Sequence, residues 1–137
     1  MNWIYSGKEL TEIPEGYIGF VYLITNLKDG RKYVGKKLFN FTSRKAVKGS
    51  TRKKKVVKES DWQEYYGSSE ELKEEVKTIG EDNFSREILH LCKSKSECSY
   101  LETWEIFNRH VLLDDSYYNS WVSCKIHKKH VKNKILL

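Results

Sequence analysis

With 137 residues the chain has room for one domain around one modest core. Hydrophobic residues make up 39%, enough to fold, while a mean hydropathy of -0.68 and no apolar run near the ~20 residues of a bilayer span argue against membrane residence. The net charge of +6 is unevenly spread: residues 31 to 58 hold twelve Lys or Arg and no acid, and the stretch after Asp115 adds five lysines, so a polyanion is the expected partner.

The opening "MNWIYSGKELTEIPEG" reads as an irregular lead-in. It lacks the charged head and apolar centre of a signal peptide, so a cytoplasmic protein is expected. "YIGFVYLIT" (17–25) is aromatic and β-branched and predicts a strand. Phe20, Tyr22 and Ile24 share one face and Val21 and Leu23 the other, so both sides should be covered. "NLKDG" is a turn and "RKYVGKK" the returning strand. Leu38, Phe39 and Phe41 then suggest the start of a helix, interrupted at Gly49 and Ser50. The lysine-rich remainder is expected to be mobile without a ligand.

"SDWQEYYGSS" carries aromatic pairs that either pack or stack on unpaired bases. "SSEELKEEVKTIG" predicts a helix capped by Ser68 or Ser69 and stopped at Gly80, with Leu72, Val76 and Ile79 as its apolar stripe. "NFSREILHLC" follows as a strand. "SKSECSYLETWEIFNRHVL" is a second helix with Leu101, Trp104, Ile106 and Phe107 on its apolar side. "SYYNSW" turns around Asn119, "VSCKI" reads as a last short strand, and a basic tail ends the chain. This order implies an α+β fold, with a small mixed or antiparallel sheet flanked by helices. The three cysteines suit reduced thiols. Cys124, His127 and His130 lack an evident fourth ligand and a usual zinc spacing.

"FVY" at 20–22 and "YVG" at 33–35 resemble the paired signatures of the GIY-YIG nuclease superfamily, whereas the literal "YIG" at 17–19 precedes the first strand. "YLETWEI" resembles the family helix that bears a metal-binding glutamate, and "YYN" at 117–119 the late asparagine motif. "YYGSSEELKEEVKTIGEDNF" is similar to a segment of phage and mobile-element members. The resemblance covers roughly residues 18 to 121. It implies one nuclease domain over 1–137, with a core of about 17–122, a basic insertion at about 38–60 and a basic tail at 123–137.

Hydrolysis of a phosphodiester needs an activated water, charge neutralisation at phosphorus and help for the leaving oxygen. The resemblance assigns Glu102 to Mg²⁺ or Mn²⁺ and Tyr22 to general base, with Tyr33 orienting water or touching phosphate. Glu105, one turn on, is a possible partner for that site. Arg44, nine residues past Gly35, fits the family's phosphate-neutralising arginine, although the surrounding helix pattern is missing. Lys36, Lys37 and Arg52 are the other candidates. Gly35 leaves room for a phosphate or a helix. Asn119 either holds the fold by its amide or meets a phosphate. Gly35, Lys36, Lys37, Arg52, Lys53, Lys54 and Lys55 are the expected nucleic-acid contacts. Taken singly, each also has an ordinary reading: a packed tyrosine, a solvated acid, a turn asparagine.

The expected function is therefore a metal-dependent DNA endonuclease of phage or mobile-element type, acting alone or as a homodimer. A nucleic-acid-binding protein that has lost catalysis, and a scaffold for an acidic protein, are the other readings. The eighteen residues after Asn119 leave room for a basic tail but no second domain.

Overall fold

The computed structural model describes residues 2–49 and 51–135, the side chains of Lys45 and Lys53 excepted. Its centre is β3 (Gly19–Asn26), buried on both faces as its two apolar stripes require. β4 (Lys32–Leu38) returns antiparallel beside it, with Tyr22 opposite Gly35 and Ile24 opposite Tyr33. β7 (Phe84–Cys92) lies antiparallel on the other flank of β3.

The lead-in is not irregular. β1 (Trp3–Tyr5) pairs parallel with β7, and β2 (Lys8–Leu10) pairs antiparallel with β1. The five-stranded sheet is therefore mixed, in the order β2-β1-β7-β3-β4. Three-residue strands leave no readable period. Trp3 holds this one in place: it is buried against Phe20, 4.9 Å between centroids, and its indole N–H donates to the Trp62 carbonyl at 2.6 Å.

α1 (Glu70–Ile79) covers the Phe20–Tyr22–Ile24 face through Leu72 and Val76. Ser69 caps it by accepting from the Leu72 N–H at 3.3 Å, and the chain leaves it at Gly80. α2 (Lys95–Asn108) covers the opposite face through Cys98, Leu101 and Ile106, with Ser94 accepting from the Glu97 N–H. Trp104 and Phe107, expected on its apolar side, are exposed.

The helix expected from Leu38 onward is a β-ribbon instead. β5 (Asn40–Ala46) and β6 (Lys53–Glu59) pair antiparallel with each other and, among the described residues, with no other strand. Thr42, Val56 and Val57 favour strand, and Gly49 at φ 79° serves the connection; lysine density hides this pattern in the sequence. Ser50 lies outside the described residues. Phe39, at the root of the ribbon, is buried 5.0 Å from Trp62 and 5.1 Å from Phe20.

"VSCKI" forms no strand, and α3 (Lys128–Val131) is the short helix of the tail. Among the described residues no helix is long and apolar enough to cross a membrane.

Candidate active site

β4 is the edge of the sheet, and its outward backbone groups are partly taken. The Lys32 N–H donates to the Ser116 carbonyl at 2.8 Å, and the Tyr118 N–H donates to the Lys32 carbonyl at 2.7 Å. Two residues on, Asn119 takes the place of a strand: its Oδ1 accepts from the Val34 N–H at 3.0 Å, and its Nδ2 donates to the Val34 carbonyl at 2.8 Å. Past this point a cleft of about 540 Å³ opens around the edge. Tyr22, Tyr33, Lys36, Ser68, Glu102 and Asn119 are among the residues lining it.

The cleft wraps around β4, so it gathers side chains from both faces of the sheet. Tyr22 and Tyr33 come from the α1 side. Lys36 and Glu102 come from the α2 side, as strand alternation and the helix position dictate. Gly35 makes the meeting possible. A Cβ there would collide with the Tyr22 hydroxyl and lie 2.5 Å from its Cζ. The bare glycine thus lets the Tyr22 ring cross the edge strand, and the room expected for a phosphate or helix is filled by this phenol.

Burial pushes the Tyr22 phenol well above its ordinary pKa, and the neighbouring phenols of Tyr65 and Tyr33 and the Glu102 carboxylate push the same way. Tyr22 is therefore protonated at neutral pH in the protein alone, not poised as a phenolate. Tyr33 is raised by burial too, opposed by its 2.6 Å hydrogen bond with the Ser68 hydroxyl. Burial lifts the Glu102 carboxyl above the usual range, and Lys36 pulls it back. The Lys36 ammonium donates to Ser99 Oγ at 2.7 Å, which fixes the charge beside the cleft.

Glu102 is half-buried and has no hydrogen-bond or ion-pair partner among the described residues. An unpartnered carboxylate on a polar cleft suits a hard cation that keeps most of its waters. No group of three or more His, Cys, Asp or Glu able to hold a metal occurs among the described residues, so Glu102 would act as a lone protein ligand. Glu105, its neighbour one turn on, faces elsewhere. Its carboxylate is buried 2.8 Å from His90 Nε2 and 2.7 Å from Arg109 Nε, a structural pairing outside the cleft.

The family model described as "Putative endonuclease segE, GIY-YIG domain" matches residues 3–122. The chain belongs to the GIY-YIG family. A similar relative is the "Putative endonuclease segE" of Enterobacteria phage T4, 32% identical over 100 residues, or 73% of this chain. The match covers 39% of that relative's length. No solved structure matches. The two GIY-YIG signatures fall on β3 and β4, and the mixed sheet between helices agrees with the fold the sequence implies.

Of the residues singled out from sequence, the fold gathers Tyr22, Tyr33, Gly35, Lys36, Glu102 and Asn119 at the cleft. Arg44 is not there: it is exposed on β5, opposite Lys55. Lys37 points to the α1 side, paired with Asp61 at 2.7 Å and lying 4.0 Å over the Tyr65 ring. Arg52, Lys54 and Lys55 belong to the ribbon and its connection, and the side chain of Lys53 lies outside the described residues. Trp62 is fully buried, which excludes base stacking in this conformation, and Tyr66 lies under the Arg86 guanidinium at 4.3 Å. Cys124 contacts the Ser99 carbonyl and takes part in no metal cluster among the described residues.

Sequence reasoning gave no role to Arg86, read Tyr65 only as a packing or stacking aromatic, and read Ser68 only as a cap candidate. Arg86 donates to the Gln63 and Tyr65 carbonyls, each at 2.9 Å, and so shapes the loop that brings Tyr65 against Tyr22. The available signal for Ser68 was the Tyr-x-Gly-Ser segment. Gly67, at φ 92°, places it against Tyr33.

Proposed function

We propose that this chain is a metal-dependent endonuclease that hydrolyses phosphodiester bonds in DNA. One observation carries the reading: two phenols, an ammonium and an unpartnered carboxylate meet in one open cleft at the notch of Gly35. Membership in a family of endonucleases supports it.

Glu102 would hold Mg²⁺ or Mn²⁺, and the bound cation would neutralise charge developing on the phosphoryl and leaving oxygens. Lys36 adds a point charge on the same side of the cleft, a role the sequence left open between several cations. The Tyr22 hydroxyl positions the attacking water by hydrogen bonding. Its proton loss is disfavoured by burial, so a general-base role requires positive charge in the cleft. Tyr33, steadied by Ser68, orients the strand or the water. Asn119 fixes the edge strand, and with it the positions of Val34 and the adjacent Gly35. The family pattern implies a 5′-phosphate and a 3′-hydroxyl. One cleft cuts one strand, so a double-strand break needs a second copy or a second encounter.

The test is nicking of supercoiled plasmid with Mg²⁺ or Mn²⁺, comparing wild type with Glu102→Ala and mapping products by end-labelling. Nicking that requires metal and vanishes in the variant is the expected result. Salt-sensitive DNA binding without nicking in either metal would overturn it in favour of a binding protein on the same fold.

A further inference from the structure

We propose that the β5–β6 ribbon is a duplex-reading arm that enters the major groove of B-form DNA with its Arg44–Lys55 face toward the bases. This deepens the DNA nuclease reading and rests on it.

The ribbon is a separate two-stranded sheet of seven rungs, 40–46 against 53–59. Thr42 faces Val57 and Arg44 faces Lys55, and these two rungs share one face of the ribbon. Val57 is 61% exposed, so that face presents a cation pair, a hydroxyl and a bare branched side chain to solvent. Like charges directly opposite each other destabilise a free ribbon. The one acid of the ribbon, Glu59 at its root, accepts from the Trp62 indole at 3.3 Å, so the outer rungs carry a positive charge that a polyanion would offset.

Dimensions select the groove. Two strands about 4.8 Å apart with their side chains fit a major groove about 12 Å wide and not a minor groove of about 6 Å. The deep, narrow major groove of A-form RNA excludes the same element. The chemistry also fits base edges: Arg44 for guanine O6 and N7, and Thr42 with Val57 for the thymine methyl. Lys54 and Lys58, on the opposite face by register, are left for the phosphates of the groove walls.

The root of the arm is fixed. Phe39 is buried, the Ser60 N–H donates to its carbonyl at 2.8 Å, and Ser60 Oγ donates to the Leu38 carbonyl at 2.7 Å. Nine extended residues from Gly35 to Arg44 reach at most about 30 Å, so the bases read lie within roughly one helical turn of the cleft.

Binding is measured without metal in the Glu102→Ala background, on a fluorescent 30-base-pair DNA duplex of mixed sequence and on the matching RNA duplex. The expected results are at least tenfold weaker binding on adding Arg44→Ala with Lys55→Ala, and a log K against log salt slope shallower by about 1.8 on adding Lys54→Ala with Lys58→Ala. Replacing guanine by 7-deazaguanine should weaken the parent about tenfold and leave the Arg44→Ala, Lys55→Ala form unaffected. Melting curves check that each variant is folded. RNA binding equal to DNA, indifference to 7-deazaguanine, or unchanged binding by the folded Arg44→Ala, Lys55→Ala form would overturn the arm. Failure of the nuclease reading shows separately, as nicking by Glu102→Ala equal to that of wild type.

Discussion

Gly35→Ala should damage the protein without touching a charge. The added Cβ would stand 2.5 Å from Tyr22 Cζ and 2.9 Å from Tyr33 Cε1 and would collide with the Tyr22 hydroxyl. Ordinary contact begins near 3.4 Å, so the Tyr22 ring must retreat by about 0.9 Å. It has nowhere to go: Trp3 lies 5.2 Å away between centroids, Phe20 and Tyr65 6.0 Å and Tyr33 6.2 Å. Overpacking of this kind costs about 1–3 kcal/mol, which for a chain of this size lowers Tm by roughly 3–12 °C. A displacement near 1 Å of a group that positions the reactants costs about a hundredfold in rate. Calorimetry and plasmid nicking read the two effects, and a Tyr22→Leu background should remove most of the stability cost by double-mutant cycle. A Gly35→Ala protein that melts within 1 °C of wild type and nicks at full rate would refute the notch as the device that seats Tyr22.

Glu102→Gln should cut nicking at least ~10²-fold while Tm at neutral pH holds or rises. Burial raises this carboxyl in the folded state, so its ionisation destabilises the fold as pH climbs from the unfolded value of about 4.3 through the raised one, and glutamine removes that penalty. For the same reason nicking by wild type should decline on acidification at a pH above the usual carboxylate range, read from a rate profile at subsaturating metal, where protons compete with the cation for this carboxylate. Glu105→Ala, one turn along α2, should cost about 1–3 kcal/mol in urea denaturation by stranding His90 and Arg109, with nicking per folded molecule retained. Asn119→Asp should lose the Nδ2 donor and set a carboxylate against the Val34 carbonyl, lowering stability by about 1–3 kcal/mol in the same assay.

What could be read in advance was local. β3 and β4 announce themselves by two apolar stripes and a turn, and α1 by Ser69, Leu72, Val76 and Gly80. The eleven-residue interval between Tyr22 and Tyr33 is meaningful because an antiparallel turn puts both on one face. β1 was hidden because it is three residues long, pairs locally only with the equally short β2, and joins the sheet through β7, some eighty residues downstream. Glu102 and Glu105 look alike in sequence. Only the packing of α2 sends one to the cleft and the other to Arg109. Arg44 shows how a counting rule depends on conformation: nine residues span about 13.5 Å as helix and about 30 Å as strand, which is why it leaves the cleft.

The incomplete edge of β4 has a cost of its own. A bare strand edge offers a template on which another chain can add a strand, the first step of aggregation. Residues 116–119 shield the rungs at Lys32 and Val34, but the strand beyond must stay accessible if substrate is to reach Tyr22. Lys36 and Lys37 stand on that unshielded stretch, one toward each face. Lys36, which would welcome a phosphate, and its Asp61-paired neighbour thus make the edge inhospitable to a stray β-strand, and neutralising both should leave a protein prone to self-association at high concentration.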